Sequence, residues 1–410
     1  MSETPQNLTE RKQLLKQLIL DLHAGGDFDE IKGRFQRLVG DISAVQISEL
    51  EQELIDEGLP VESVRELCDV HVALFEDALT DRSGHSVPPG HPVHTARYEN
   101  YALGEVLGML EDAIAALPAD SAWRQVRAFT EQLGQVEKVY LRKENILFPY
   151  LEKHGVKGPS SVMWSIHDAV RAQLKQLRAA IQEQDTERVR SVFAPLRDEI
   201  AAMFNKEEQV LYPTSLQMLS DGEWKAILEQ SASIGYALVQ PKGTWDPGVP
   251  AEHMTGGAPT GSYQAPGAAE GSAGLLPLDV GALTLEQVNL MLKHLPVDVT
   301  FVDEDDTVRY YSQGIEERVF VREPAIIGRK VQNCHPPASI DTVNRLLEAF
   351  RRGERDMAEF WIQMGPRFVH IRYFALRDAQ GNYRGTIEVT QDAAPIRALE
   401  GERRLLDEAM

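Results

Sequence analysis

Lys143-Glu144-Asn145-Ile146-Leu147-Phe148-Pro149 and Glu207-Glu208-Gln209-Val210-Leu211-Tyr212-Pro213 are two versions of one segment. Aligned on their prolines, Glu144 falls on Glu208 and Tyr140 on Phe204. Each glutamate sits on the apolar stripe of a long helical pattern. The first stripe runs Val126, Leu133, Tyr140, Leu147 and Leu151, and the second Phe193, Phe204 and Leu211. A carboxylate facing the inside of a bundle is costly unless it is paired or binds a cation. Two of them at equivalent repeat positions point to a shared metal site.

Outward from these segments the pattern stays helical. It runs from His91 to Leu117, from Ser121 to His154 with a kink at Pro149, from Ser160 to Gln184 and from Glu187 to Leu219. Long helices with brief connections predict an antiparallel four-helix bundle over 91–219, a fold that builds metal sites from side chains on facing helices. Residues 1–85 predict a small helical domain ended by the turn-rich Ser83–Gly90 stretch. Residues 240–276 are rich in Gly, Pro, Ala and Ser and predict a flexible linker. Beyond it the period changes to that of strands. Val299–Val302 and Val308–Tyr311 flank an acidic turn, a helix follows over Ser339–Phe350, and three β-type runs close the pattern, so 280–392 predicts a small α+β domain. Its aromatic residues Phe301, Tyr310, Phe360, Trp361 and Phe374 are expected in the core. The last segment, 393–410, predicts an amphipathic helix. The chain is thus multidomain, all-α in its first part and α+β in its last.

The composition narrows the function classes. The net charge is -21, and no run of Lys or Arg exceeds two residues, which argues against nucleic acid or an anionic membrane as partner. No apolar stretch approaches the roughly 20 residues of a spanning helix, and the N-terminus lacks a signal-peptide core. Two cysteines, Cys68 and Cys334, imply no disulfide framework, and the chain is expected to be cytoplasmic.

The bundle's candidate ligands follow from helical phase. His167 lies on the inward side of the third helix with Met163, Val170, Leu174 and Ile181. Glu99 extends the first helix's stripe backward from Leu103. The internal set is Glu99, Glu144, His167 and Glu208, with His91 and His94 able to reach in from the rim and Tyr140 one turn before Glu144 as a possible phenolate ligand. Carboxylate and imidazole donors suit iron, manganese or zinc. The same groups could instead hydrogen-bond to one another or to buried water. Cys68 and His71 share one helical turn, a weak ligand pair that a core cysteine explains as well.

Residues 91–219 resemble the hemerythrin-like HHE cation-binding domain, on the strength of the two E-x-x-L-[FY]-P segments. The resemblance implies a non-haem iron site serving in oxygen binding, iron handling, iron–sulfur repair, or sensing of oxygen or nitric oxide. The chain departs from that pattern where Tyr140 and Phe204 precede the glutamates in place of histidine, which implies a carboxylate-richer or mononuclear site. Residues 7–80 look like the uncharacterised helical domain that often precedes such domains. Residues 280–392 resemble a PAS domain, a sensor and dimerisation module. Asn333-Cys334-His335-Pro336 does not fit the flavin-adduct subclass, while haem, with His335 as a weak candidate ligand, or another flavin stays open.

Together these expectations describe a metal-binding sensory or regulatory protein, with iron as the expected metal, responding to oxygen, nitric oxide, iron or redox state. Its PAS domain would relay the signal through a homodimer, paired by that domain and the C-terminal helix, or through an unidentified protein partner. A di-metal oxidoreductase or repair protein and a metal-free scaffold are the alternatives.

Overall fold

The computed structural model describes residues 87–156, 158–254, 275–278, 280–314 and 318–402, together with Gln17, Asp21, Glu30 and Arg34. The expected N-terminal domain, with Cys68 and His71, lies outside the described residues apart from those four positions, as do 255–274 of the expected linker. The chain divides into two compact units, one formed by Met1–His253 and the other holding most of the chain from Met254 onward.

In the first unit, helix α1 spans Pro92–Ala115. Proline suits its first turn, and His91 caps it, its Nδ1 accepting from the Val93 N–H at 3.1 Å. Helix α2 (Asp120–Leu133) stops at Gly134, and α3 (Val136–Arg142) resumes the path. A π-helical turn over Lys143–Leu147 then joins α3 to α4 (Phe148–Lys153). After α5 (Gly158–Glu183) and α6 (Thr186–Lys206), a second π turn over Glu207–Leu211 leads into α7 (Tyr212–Met218). The two π turns fall on the two repeated segments, each two residues before its proline. Pro149 and Pro213 bring no N–H and their rings crowd the preceding turn, and a widened turn accommodates both defects. The expected kink at Pro149 is therefore an extra residue in the turn.

The core is the predicted stripe. Val126, Leu133, Tyr140 and Leu151 are fully buried, as are Leu103 and Leu110 of α1, Val170 and Leu177 of α5 and Leu196 of α6. A further helix, α8 (Asp221–Ile234), starts on a Ser220–Glu223 capping box and buries Trp224. The chain stays on the bundle beyond 240: Tyr150 donates to the Glu252 carbonyl at 3.1 Å.

The second unit opens with a hairpin of β1 (Leu275–Pro277) and β2 (Ala282–Thr284) and helix α9 (Leu285–His294). Strands β3 (Asp298–Asp303) and β4 (Val308–Tyr311), helix α10 (Ile340–Arg351) and strands β5 (Met357–Met364), β6 (Arg367–Arg377) and β7 (Tyr383–Asp392) complete an α+β fold. The sheet is antiparallel in the order β4-β3-β7-β6-β5. Val302, Val308 and Ile326 form a core cluster. Phe360 and Trp361 depart from expectation: they are exposed on the edge strand β5. Helix returns after β7 only over Ala394–Arg397 (α11), with Ile396 and Leu399 exposed, and 403–410 lie outside the described residues.

Candidate functional site

Among the described residues Glu99, Glu144 and Glu207 are buried inside the bundle, and each is matched by a cation from the chain. Glu144, 2% exposed, accepts two bonds from Arg171, both at 2.9 Å, and one from His167 Nδ1 at 2.7 Å. Glu99, fully buried, pairs with Arg142 and accepts from the Ala237 N–H at 2.6 Å. Glu207, fully buried, pairs with Lys143 and accepts from Asn100 Nδ2 at 2.8 Å and the Tyr212 hydroxyl at 2.6 Å. A buried carboxylate tolerates ionisation when partners of this kind surround it.

Electrostatics tie these groups together. Burial pulls the Glu207 carboxyl upward, but Lys143, Asn100 and Tyr212 outweigh it and hold it below the usual carboxylate range. Burial lowers the Lys143 ammonium against the pull of Glu207. Burial raises Glu99 in spite of Arg142. Burial, then Lys143 and Arg171, push His167 well below the usual imidazole range, so its ring is neutral. A neutral ring bonded through Nδ1 to an acceptor-only carboxylate carries its proton on Nδ1, which leaves a bare lone pair on Nε2. That atom is buried and has no hydrogen-bond partner among the described residues. The Tyr140 hydroxyl is likewise buried and unpartnered, with its ionisation pushed well up by burial and Glu207. The Tyr140 and His167 rings stack at 3.8 Å and 13°.

The remaining sequence candidates lie elsewhere. Glu208 is part-exposed and pairs with Arg97 at 2.9 Å, while its neighbour Glu207 takes the inward position. A regular helical period places Glu208 inward, and the π turn shifts that register by one residue. The interior set Glu99, Glu144, His167 and Glu208 is therefore not gathered, because Glu208 turns away. His91 is buried, but its Nδ1 caps α1 and its ring packs against Trp224 and Trp245 at 4.8 and 4.6 Å. His94 Nδ1 is buried without a partner among the described residues. In the second unit His335 Nδ1 bonds to the Val331 carbonyl at 2.8 Å, and burial lowers its ring.

Arg142, Lys143, Arg171 and Glu207 carry the interior and escape a reading by apolar periodicity. One signal points to them. The repeat aligns Arg142-Lys143-Glu144 with Lys206-Glu207-Glu208, setting a base against an acid at the position of the Lys143–Glu207 pair. Beside Glu99, Arg142 and Lys143 lies a mainly apolar cavity with about 50 Å³ of room, bounded by Val93, Val139 and Trp224.

The comparisons with known proteins agree with this architecture. Residues 15–81 match a family of unknown function (DUF438), residues 91–215 the hemerythrin HHE cation binding domain and residues 288–394 a PAS domain. The chain joins these three domains in series. Among solved structures it is similar to the C-terminal domain of a Streptococcus mutans protein, at 40% identity, 31% of this chain, 97% of that one and a TM-score of 0.30. It is also similar to a sensory box sensor histidine kinase from Vibrio cholerae, at 14% identity, 26% and 89% coverage and a TM-score of 0.21. The PAS domain of BvgS from Bordetella pertussis is similar at 17% identity, 28% and 91% coverage and a TM-score of 0.23. No curated protein matches the chain. Among the described residues no helix is long and apolar enough to cross a membrane.

The donor set sets the terms for a cation. Among the described residues no three His, Cys, Asp or Glu side chains gather as a metal cluster. The three interior carboxylates are engaged by Arg142, Lys143 and Arg171, which does not fit a carboxylate-bridged pair of ions. His167 does fit a single ion. Its unpartnered Nε2, with Nδ1 bonded to a carboxylate, is the arrangement of a metal-binding histidine and its supporting group.

Proposed function

We propose that this chain is a sensory or regulatory protein whose bundle holds one transition-metal ion at His167, iron by its similarity to the hemerythrin HHE cation binding domain, and whose PAS fold passes the state of that site onward. The observation that carries this reading is the bare, buried His167 Nε2. An ion held there would supply a coordination position that oxygen, nitric oxide or a change of oxidation state can alter. The chain's own residues prepare the position. Glu144 fixes the tautomer and direction of the ring, and Arg171 clamps Glu144. Tyr140 and Phe148 cover the imidazole, at 3.8 and 6.2 Å. Burial with Lys143 and Arg171 keeps it unprotonated.

The relay falls to the PAS half, either in a homodimer or against another protein. Supporting this, α9 buries none of its residues and exposes Leu285, Leu290 and Met291, and β5 exposes Phe360 and Trp361. Apolar surface of this kind is used in contacts between proteins. The test is anaerobic iron(II) titration of the full-length protein and its His167→Ala variant, followed by hydrogen exchange. The wild type should take up iron, the variant should not, and exchange should change within residues 275–402 on loading. Equal iron uptake by His167→Ala would refute the site, and unchanged exchange beyond the bundle would refute the relay.

A further inference from the structure

The cavity beside Glu99 lies between α1, α3, the first π turn and α8, and its room of about 50 Å³ exceeds the roughly 10–15 Å³ that one water molecule needs. Its walls are mainly apolar, and Val93, Val139, Leu147, Trp224 and Ile227 on them are all buried. Pro92, Ala96 and Leu228, also on the wall, are half-buried and mark its access to solvent. Neither His167 nor Tyr140 borders it, and α8 lies beyond the residues that match the hemerythrin domain.

The polar groups on the wall are engaged with one another and with the backbone. Glu99 turns one carboxylate oxygen to the Ala237 N–H, at 2.6 Å, and the other to Arg142. Arg142 also donates to the Gly235 carbonyl and lies 4.8 Å from the centre of the Tyr236 ring. Lys143 donates to Glu207 and lies 4.9 Å from the centre of the Tyr140 ring. The Ser231 hydroxyl donates to the Ile227 carbonyl at 2.7 Å, and that of Tyr212 to Glu207 at 2.6 Å. A buried water needs about two to four polar partners, and groups already paired offer it few. An apolar cavity stays dry and takes an apolar guest.

We infer that the cavity beneath α8 is a binding site for a small, neutral, apolar molecule of the size of a dissolved gas. Contact with the walls supplies the attraction, because an empty wall forgoes the dispersion energy that a fitting guest restores. A charged guest is rejected, since the buried ions around the site are already paired and it would enter without a counter-charge. The site needs no metal, so it stands or falls apart from the ion at His167.

The test is methyl NMR of the full-length protein, stripped of metal by chelator, under rising xenon pressure. The methyl signals of Val93, Val139, Leu147, Ile227 and Leu228 should shift along saturating curves, with no cross-relaxation to water before xenon is added. Ala96→Leu, which puts bulk at the wall, should abolish those curves. Val139→Ile is a milder filler that keeps the comparison open if the first variant does not fold, and it should weaken xenon binding several-fold. Shifts that stay linear in pressure in the wild type would overturn the inference. So would saturating curves that persist unchanged in either folded variant, or water contacts at these methyls that xenon does not displace.

Discussion

Arg171→Met is the substitution that most directly probes how the bundle tolerates its interior charge. Arg171 gives Glu144 two bonds at 2.9 Å, Glu137 two at 2.9 and 3.1 Å, and Asp168 one at 3.0 Å. Glu144 is 2% exposed and keeps only the His167 N–H among the bonds named above. Removing one partner of a buried pair costs about 3–5 kcal/mol. The Arg171 side chain is 27% exposed, so solvent screening places the expected loss at the lower end, about 3 kcal/mol. For a unit of this size that is a fall in melting temperature of about 6–12 °C. Urea unfolding followed by tryptophan fluorescence is the assay, because Trp123, Trp164, Trp224 and Trp245 lie in the first unit and only Trp361 in the second. Adding Glu144→Gln removes the stranded charge and should recover more than about 1 kcal/mol of the loss. A single variant that loses less than about 1 kcal/mol, or a double variant worse than the single, would refute the reasoning.

Three further outcomes follow from the same geometry. Glu207→Gln should cost about 3–5 kcal/mol and Glu208→Gln under about 1 kcal/mol, since the first is buried and ion-paired and the second is surface-paired; equal costs would mean the π-turn register is wrong. Tyr140→Phe in metal-free protein should leave the urea midpoint unchanged or slightly raised, because its hydroxyl has no partner, whereas Tyr212→Phe should lose about 1–3 kcal/mol with its bond to Glu207; a loss at Tyr140 matching that at Tyr212 would contradict this. Burial, Arg97 and His94 push His91 down to about 4 from 6.5, so the unfolded chain binds the proton more readily. Stability from this group is full above pH 6.5 and drains away as pH falls toward 4, by at most about 3 kcal/mol and less with screening at the rim. His91→Asn keeps a capping side chain and should flatten that dependence; parallel pH curves for the two proteins would speak against it.

The sequence made the architecture legible where one physical rule dominated. Val126, Leu133, Tyr140, Leu147 and Leu151 sit on a helical period because they pack on one face, and all are buried. The change of period after the Gly/Pro-rich stretch marks the sheet, whose strands β5, β6 and β7 cover the three β-type runs. Helix α8 announces itself by Ser220 and Glu223, a capping box that a search for long apolar stripes passes over. The interior of the site was legible in part. Glu99, Glu144 and His167 point inward as helical phase requires. Glu207 takes the place expected for Glu208 because periodicity cannot count the residue a π turn adds. Arg142, Lys143 and Arg171 read as solvated charges until an acid is found to meet each one. Phe360 and Trp361 alternate like core residues, but their strand is the sheet's edge.

The central claim is that the bundle's interior carboxylates are balanced by the chain's own cations, leaving one position, at His167, for a metal ion. Native mass spectrometry of the full-length protein, purified without chelator and saturated anaerobically with iron(II), counts the ions directly. The account predicts a single bound ion, absent from His167→Ala, and a helical signal that chelation leaves unchanged because Arg142, Lys143 and Arg171 hold the core together without it. Two ions per chain in the wild type, or loss of helical structure when the metal is removed, would contradict it.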